Sequence, residues 1–301
     1  MRYLQVIVPQ GDSTKKKEKI FEEMISNFHN TVKDEPLSLE ILGFEQYSYF
    51  FITVPDDLFE TLEGLFYSTY PDCEIKESSD YFDTLKINEK GFAGSKLKFV
   101  FGDVYPFKTF DEFEEDSQSR LFSVISKSMA GEKILLQMVV NPKHETAGYH
   151  LKTRFLLNWN RFKKFFSIKD RFRIKDENSV VKQRSHLALE KSHMEPFSAC
   201  IRLGYIAKTD QEATRKLEAV INSFYQFNKT DIQEFRSVKM SKSAFVSEYK
   251  QGKIQMILSF LQRKFVLCIT CLIRILCLML CMCLRKKQSR LKIFRVLEKK
   301  M

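Results

Sequence analysis

Residues 203–227, LGYIAKTDQEATRKLEAVINSFYQF, contain the pattern from which the fold is predicted. Apolar residues alternate up to Tyr205, which predicts a strand, and Thr209 with Glu212 forms a capping box that predicts the start of a helix. The apolar residues of that helix recur at the spacing of one helical face: Ala213, Leu217, Val220, Ile221 and Phe224. The stretch is therefore predicted to fold as a strand, a polar capped turn and a helix.

The same unit opens the chain, in residues 6–28, VIVPQGDSTKKKEKIFEEMISNF. A short apolar run is closed by Pro9 and Gly11, and Asp12 or Ser13 can cap the helix that follows. Two further strands are predicted by alternation, at Leu37, Leu39 and Ile41 and at Tyr47 to Val54. A second amphipathic helix (Leu58, Leu62, Leu65, Phe66) and a strand carrying Cys73 and Ile75 complete the order βαββαβ. That order is typical of ferredoxin-like folds.

The second half repeats the order. A strand is predicted at Leu97–Phe101, a helix that ends at Gly131, a buried strand at Ile134–Val140 and a last strand at about Asp231–Val238. We therefore expect an α+β protein with two tandem ferredoxin-like modules, a helical basic insertion and a C-terminal hydrophobic helix. The expected domains are residues 1–80, residues 95–240 with an insertion at 143–195, and a hydrophobic and basic tail at 250–301.

The composition narrows the classes of partner. The chain has 301 residues and a formal charge of +11, which favours a polyanionic partner, either nucleic acid or an anionic membrane surface. Five of its seven cysteines crowd one apolar stretch near the C-terminus, which is not the pattern of a secreted disulfide framework. The opening apolar run is too short for a signal peptide. A cytoplasmic protein is therefore expected.

The insertion at 143–195 carries thirteen Lys or Arg residues with aromatic residues between them. Cations bind phosphates and flat rings stack on unpaired bases, so the segment is a candidate nucleic-acid interface. Phe155, Trp159, Phe162 and Phe166 also have the spacing of one helical face, so the aromatics can equally form a core face with the lysines as its solvated back. The candidate nucleic-acid-binding residues are Lys152, Arg154, Arg161, Lys163, Lys164, Arg171, Arg173 and Lys175.

The glycines, cysteines and histidines do not form the known motifs for nucleotide binding, metal binding or catalysis. The stretch Gly91 to Lys96 lacks the spacing of a P-loop and leads into a strand. Cys268 and Cys271 form a CxxC pair, but it lies inside an apolar run with no second pair of ligands. No histidine has HExxH spacing. We therefore predict no catalytic residue, no cofactor and no metal site.

The tail contains Phe265–Leu284, twenty residues long and apolar except for Thr270 and Arg274. That length can span a bilayer, although Arg274 costs roughly 2.5–3.5 kcal/mol on insertion scales. The cations that follow from Arg285 would prefer the cytoplasm, and a single span would then export the rest of the chain without a signal peptide. Three interpretations stay open: a membrane segment, the product of a shifted reading frame, and a buried helix.

Several phrases of the chain resemble the N-terminal region of conjugative DNA-transfer ATPases, the type IV secretion coupling-protein relatives of small-genome bacteria. They are LQVIVPQGD (4–12), FFITVPDDLFETLEGLFYSTYPDCEI (50–75), FGDVYPFKTFDEFEEDSQSRLFSVISKSMAGEKILLQMVVNP (101–142) and NSFYQFNKTDIQEF (222–235). The resemblance covers roughly residues 1–240. Those proteins carry a P-loop ATPase domain after this region, whereas this sequence continues into the unusual tail, so none of their catalytic residues can be transferred.

The resemblance implies that the chain is a non-enzymatic accessory or assembly module of a conjugation machine. It would be a truncated N-terminal part of the machine's ATPase, and its partners would be other proteins of that machine. Such a module is expected in the cytoplasm or attached to the inner face of the cell membrane. One alternative is a nucleic-acid-binding protein acting through 143–195. Another is a structural protein anchored in the membrane through Phe265–Leu284. The sequence does not predict the oligomeric state.

Overall fold

The computed structural model of the chain describes residues 2–7, 17–32, 35–44, 47–69, 71, 74–100, 105, 107–108, 123–124, 128–142, 196–252 and 266–268. Its strands are β1 (Arg2–Ile7), β2 (Leu37–Phe44), β3 (Tyr47–Val54), β4 (Glu74–Ser78), β5 (Gly91–Phe99), β6 (Lys133–Pro142), β7 (Pro196–Ala207), β8 (Phe235–Met240) and β9 (Val266–Cys268). Its α-helices are α1 (Lys17–Thr31), α2 (Phe59–Thr69), α3 (Asp210–Phe224) and α4 (Lys242–Gln251). Short 3-10 helices lie at Asp56–Leu58, Tyr81–Leu85, Ile87–Glu89 and Tyr225–Phe227.

The strands form one continuous sheet in the order β4-β1-β3-β2-β6-β7-β5-β8, and β9 adds to the start of β7. Every pair of neighbours is antiparallel. The two halves of the chain meet where β2 pairs with β6 over their length, from Leu37 opposite Val140 to Phe44 opposite Lys133. Both strands are rich in buried apolar side chains, so this seam lies in the core of the molecule.

The two halves have mirrored strand orders. If the strands are numbered within each half, the order across the sheet is 4-1-3-2 for the first half and 2-3-1-4 for the second. The second strand of each half therefore forms the seam. The expected mixed α+β fold is confirmed. The continuity of the sheet across the seam was not anticipated, because alternation predicts strands but not which distant strand pairs with which.

The two faces of the sheet have separate cores. On one side, which we call the α1 face, α1, α2 and α3 cover apolar strand residues such as Leu39, Leu136 and Leu203. The other side, the α4 face, is covered by α4 and by the 3-10 turns at 81–89. Because side chains alternate between the two faces along a strand, Glu40, which follows Leu39, and Gln137, which follows Leu136, lie on the α4 face.

The elements with the clearest local signals were predicted correctly. Strand β3 spans Tyr47–Val54 as expected. Thr209 caps α3 by accepting a hydrogen bond from the backbone N–H of Glu212. Gly131 has a left-handed φ of +82°, although residues 128–130 before it are not helical, so the predicted helix does not continue to Gly131. The apolar face of α3 is buried as predicted: Ala213, Leu217, Val220, Ile221 and Phe224.

The bounds of two strands were wrong. Strand β5 spans Gly91–Phe99 rather than Leu97–Phe101. Strand β8 spans Phe235–Met240 rather than Asp231–Val238. Asp231 instead lies in a turn with a positive φ of 61°, inside a bridge between Lys229 and Gln233. A left-handed turn residue interrupts the extended backbone, which is why the strand starts later.

The C-terminal region differs from the expected one. Helix α4 (Lys242–Gln251) was not predicted. It packs on the sheet, and its last residues include position 250, where the hydrophobic and basic tail was expected to begin. Val266–Cys268 form a strand rather than part of a hydrophobic helix. The rest of Phe265–Leu284 lies outside the described residues. Among the described residues, no helix is both long enough and apolar enough to cross a membrane.

Candidate functional site

The predicted nucleic-acid-binding residues, from Lys152 to Lys175, all lie outside the described residues, as does the rest of the insertion at 143–195. The structure does place the ends of this insertion. Strands β6 and β7 pair directly, with Pro142 opposite Phe197, so the chain leaves and re-enters the sheet at adjacent positions. The insertion is therefore a long connection between two neighbouring central strands.

The most polar part of the described core is a row of side chains across the α4 face. Glu40 on β2 lies opposite Gln137 on β6, Gln137 lies opposite Arg202 on β7, and Arg202 lies opposite Lys96 on β5. Glu40, Gln137 and Arg202 are buried, with 3%, 0% and 0% of their surface exposed. Charged groups are rarely this buried unless they are paired, so the row requires an account of its partners. We call these four residues the polar row.

Glu40 is held by hydrogen bonds from four side chains. Its Oε1 accepts from Ser38 Oγ at 2.7 Å, Gln137 Nε2 at 2.9 Å and Thr53 Oγ1 at 3.3 Å. Its Oε2 accepts from the Tyr81 hydroxyl at 2.7 Å. Burial raises the pKa of Glu40 above its ordinary value, and the four donors only partly offset that effect.

Two tyrosines continue the network away from the sheet. The Tyr81 and Tyr249 hydroxyls are 2.7 Å apart. Because Tyr81 donates its proton to Glu40, Tyr249 must be the donor to Tyr81. Burial raises the pKa of both phenols well above the ordinary value, so both stay protonated and able to donate.

The other end of the polar row is an ion-paired cluster. Arg202 donates from Nε to Glu248 Oε2 at 3.0 Å and from Nη1 to Gln137 Oε1 at 2.7 Å. Lys96 Nζ lies 3.1 Å from the same Glu248 oxygen. Burial alone would raise the pKa of Glu248, but the two cations outweigh it and the pKa is lowered. Glu248 is therefore an anion at neutral pH.

Helix α4 is fixed to this face by shape as well as by charge. Gly94 and Gly204 lie opposite each other on β5 and β7, and the Phe245 ring packs into the space left by their missing side chains. A Cβ at Gly204 would come within 2.8 Å of Phe245, and one at Gly94 within 3.0 Å. We call this the glycine socket. In addition, Gln137 Nε2 donates to the Tyr249 backbone carbonyl at 2.9 Å.

A small cleft opens beside Glu40, at the end of α4. It is lined by Tyr3, Glu40, Thr53, Asp80, Tyr81, Phe82, Tyr249 and Lys250. Partial burial and the nearby carboxylates of Asp80 and Glu40 raise the pKa of Tyr3. Lys250 pairs with Asp83 at the rim. The polar groups that reach the cleft are thus already engaged with one another.

A second, smaller polar cluster fixes the start of β6. Glu132 Oε2 accepts from the Met129 backbone N–H at 2.8 Å and from the Tyr205 hydroxyl at 2.7 Å, and Lys216 lies 3.6 Å away. Burial opposes ionisation of Glu132, but these donors and the cation lower its pKa. The cluster ties α3 and β7 to the turn before β6.

The chemistry available to these clusters is limited by their composition. Within the part of the chain that the structure describes, no group of three or more His, Cys, Asp or Glu side chains is placed to hold a metal ion. The polar row mixes one buried carboxylate with amide, hydroxyl and guanidinium donors, and these groups bond to each other. The arrangement therefore serves to hold α4 and the turn at 81–85 on the sheet.

Sequence reasoning did not identify the polar row or its partners on α4. A signal was present: Glu40, Gln137 and Arg202 each lie between two large apolar residues in the strand segments LSLEILGF, KILLQMVVNP and PFSACIRLGYIA. A lone polar residue at the centre of a buried strand requires a partner. The sequence could not show that three such residues share one row, because that depends on strand order.

Most of the chain matches one protein family. Residues 24–266 match the family described as Domain of unknown function (DUF8128). This range begins within α1 and ends at the first residue of β9, so it includes the whole polar row, α4 and the glycine socket. No curated protein matches the chain. Since the match covers well over half of the sequence, the chain belongs to the DUF8128 family.

Proposed function

We propose that the chain is a non-enzymatic assembly module, the N-terminal accessory part of a conjugative DNA-transfer (type IV secretion) ATPase. The observation that carries this proposal is that the buried polar groups of the α4 face bond to one another and clamp α4 on the sheet. A fully satisfied polar network makes a scaffold rigid and specific. Catalysis instead needs polar groups that are kept available for a substrate.

We further propose that each half of the sheet is a ferredoxin-like module, and that the two modules are joined edge to edge through β2 and β6. The mirrored strand orders support this, because 4-1-3-2 is the order of an antiparallel sheet built from a βαββαβ chain. Helices and turns cover both faces of the joined sheet, and its two outer strands, β4 and β8, are available for contact with other proteins. These are features of an assembly unit.

The partners proposed for the module are proteins of the secretion machine, and its proposed location is the cytoplasm, at the inner face of the cell membrane. The direct test mixes the purified full chain with the ATPase domain of a conjugative DNA-transfer ATPase from the same genome and measures complex formation by analytical ultracentrifugation. A stable complex is expected, with no ATP turnover by the chain alone. ATP hydrolysis that copurifies with the chain and persists after further purification would exclude a non-enzymatic role.

A membrane anchor in the tail is tested separately. Deleting residues 269–301 keeps all the described elements and removes most of Phe265–Leu284. If the tail anchors the protein, the truncated protein leaves the membrane fraction while the full chain stays there. Equal distribution of the two proteins between fractions would rule out an anchor in this segment.

Nucleic-acid binding is the second candidate function. The insertion carries thirteen cations against six acidic residues, and its two ends are fixed side by side at Pro142 and Phe197. A cationic segment tethered at both ends to a rigid sheet can track a phosphate backbone. If it does, the logarithm of the affinity for a single-stranded oligonucleotide falls linearly with the logarithm of salt concentration.

The variants for that measurement remove cations from two different parts of the chain. Alanine at Arg161, Lys163, Lys164, Arg171 and Arg173 is expected to abolish the salt-dependent slope. The control removes two exposed cations on the α3 side, Lys208 and Arg215, and should leave the slope unchanged. Equal binding by the parent and the five-residue variant would exclude the insertion as the interface.

A further inference from the structure

The outer strand β8 has an open hydrogen-bonding edge. Within the described residues β8 pairs only with β5. Val100 N–H donates to Glu234 C=O at 2.9 Å, so the even-numbered residues at this end of the strand direct their backbone groups toward β5. The N–H and C=O groups of Ser237 and Lys239 therefore point away from the sheet. The next outward group, Phe235 N–H, is already capped by Asn228 Oδ1 at 2.9 Å.

The side chains along this edge are cationic. Arg236 and Lys239 are exposed on β8, and Lys98 lies opposite Arg236 on β5. No ion pair joins any of these three cations to another described residue. Val238, between them, leaves 37% of its surface exposed. Like charges directly opposite each other in a sheet are unfavourable, so Lys98 and Arg236 together favour an anionic neighbour.

The opposite outer strand, β4, differs in charge. Its Glu74 and Lys76 form an ion pair at 3.2 Å, and Arg2 on β1 lies 4.0 Å from its Glu77. Charged side chains commonly protect an outer strand against unwanted pairing, and on β4 the charges are of both signs and paired. Strand β8 lacks acidic residues altogether, so the two edges of the sheet are not equivalent.

We propose that the β8 edge binds an extended acidic segment of a partner protein, which adds to the sheet as an antiparallel strand. This inference rests on the proposed function and names the surface and the kind of partner. The segment would exchange backbone hydrogen bonds with Ser237 and Lys239, place carboxylates near Arg236 and Lys239, and cover Val238 with an apolar side chain. Backbone pairing supplies affinity and the side chains supply specificity.

A second copy of the chain fits this edge less well. Pairing β8 with β8 would bring two copies of Arg236 and two of Lys239 together with no acidic residue from either strand. Nucleic acid would satisfy the cations, but it cannot pair with alternating N–H and C=O groups as a peptide strand does. Both occupants are outcomes that the experiment distinguishes.

The probe is a fluorescent nine-residue peptide with the central sequence Glu-Val-Val-Glu, added to the full chain. Paired antiparallel with β8, it places its two carboxylates beside Lys239 and Arg236 and a Val beside Val238. We expect saturable binding by anisotropy and slowed hydrogen exchange at the Ser237 and Lys239 amides. Ser237→Pro removes an outward N–H, which an outer strand tolerates, and is expected to weaken binding at least tenfold. Arg236→Glu and Lys239→Glu are each expected to weaken it about two- to fivefold.

The matched control is Lys76→Glu on β4, which should leave binding unchanged. The proposal is overturned if Ser237→Pro and Arg236→Glu both bind the peptide like the parent. Nucleic acid is the occupant, and the proposal is overturned, if a twenty-nucleotide thymidine oligomer displaces the peptide and only the charge variants weaken oligomer binding. A second copy is the occupant, and the proposal is again overturned, if the parent self-associates through β8 and Arg236→Glu abolishes the self-association.

The ultracentrifugation assay with the ATPase domain separates this inference from the proposed function. Loss of the complex in Ser237→Pro, with the complex kept in Lys76→Glu, supports both. A complex that survives Ser237→Pro overturns the β8 edge as the docking surface and leaves the assembly role standing. If the parent forms no complex, the assembly role fails, and the peptide titration alone decides whether the edge binds an acidic strand.

Discussion

Arg202 and Glu248 form an ion pair between the centre of the sheet and α4, with Arg202 Nε 3.0 Å from Glu248 Oε2. The arginine side chain is fully buried, and the glutamate side chain is 11% exposed. Nothing in the local sequence links the two residues, which lie 46 positions apart. Their pairing joins α4 to the centre of the sheet, beside the glycine socket that also holds this helix.

Glu248→Ala is expected to lower the free energy of unfolding by about 3 kcal/mol, because it leaves the buried Arg202 without its anion. Urea denaturation followed by circular dichroism measures the change. The control Glu218→Ala removes an exposed carboxylate from α3 and should change stability by less than about 0.5 kcal/mol. Similar values for the two variants would show that the ion pair does not hold α4.

Glu40→Gln is expected to become relatively more stable than the parent as pH rises. The pKa of Glu40 is raised in the folded chain, so its ionisation opposes folding. The parent therefore loses stability as pH rises from the ordinary glutamate pKa toward the raised one, by up to about 1.4 kcal/mol per pH unit. Urea titrations of both proteins between pH 5 and pH 8 test this, with Glu218→Gln as the control. A difference that does not change with pH contradicts the prediction.

The two tyrosines should differ in their importance. Tyr81→Phe removes the donor to Glu40 and the acceptor for Tyr249, so it leaves two buried groups without this bond and should cost about 2–3 kcal/mol. Tyr249→Phe removes only the donor to Tyr81 and should cost about 1 kcal/mol. Thermal or urea unfolding of both variants gives the order. The reverse order would mean that the direction of the proton donation is wrong.

Gly204→Ala is expected to destabilise the fold by about 1–3 kcal/mol, because the new Cβ would press on the Phe245 ring. Hydrogen exchange should also show that α4 opens more readily. The matched control is Gly64→Ala in the exposed part of α2, where nothing lies within 4 Å of the added carbon. There the same substitution should stabilise the helix by about 0.5–1 kcal/mol.

A double variant tests whether the socket itself is responsible. Phe245→Leu shortens the side chain that fills it, so adding it to Gly204→Ala should recover part of the lost stability, whereas Phe245→Leu alone should be destabilising. Additive losses in the double variant would mean that Gly204 is needed for some other reason than room for Phe245.

Local patterns were sufficient for part of the fold. The cap at Thr209, the buried stripe of α3 and the bounds of β3 depend on residues within a few positions of each other, so sequence periodicity predicts them. Strand ends were less predictable. Asp231 has a left-handed backbone and β5 starts early, at Gly91, because of the neighbouring strand and loop. The alternation of apolar and polar residues within one segment carries no information about those neighbours.

The candidate site could not be derived in the same way. Its members come from separate segments: Lys96, Gln137 and Arg202 lie on three strands, Tyr81 on a turn and Glu248 on α4. Gln137 donates to Glu40 across 97 positions of sequence, and Tyr81 meets Tyr249 across 168. The sequence marked the central residues as polar in apolar surroundings but did not indicate their partners.

The amino-acid sequence by itself determined the α+β class, the alternation of strands and helices, and the position of the best-capped helix. Each follows from side-chain periodicity and from hydrogen bonds between near neighbours. Only the tertiary structure decided that the two halves share one sheet, that a polar row crosses its centre, and that α4 covers that row. The reason is that strand order and register are set by the burial of whole faces against each other, a property that no short stretch of residues possesses alone.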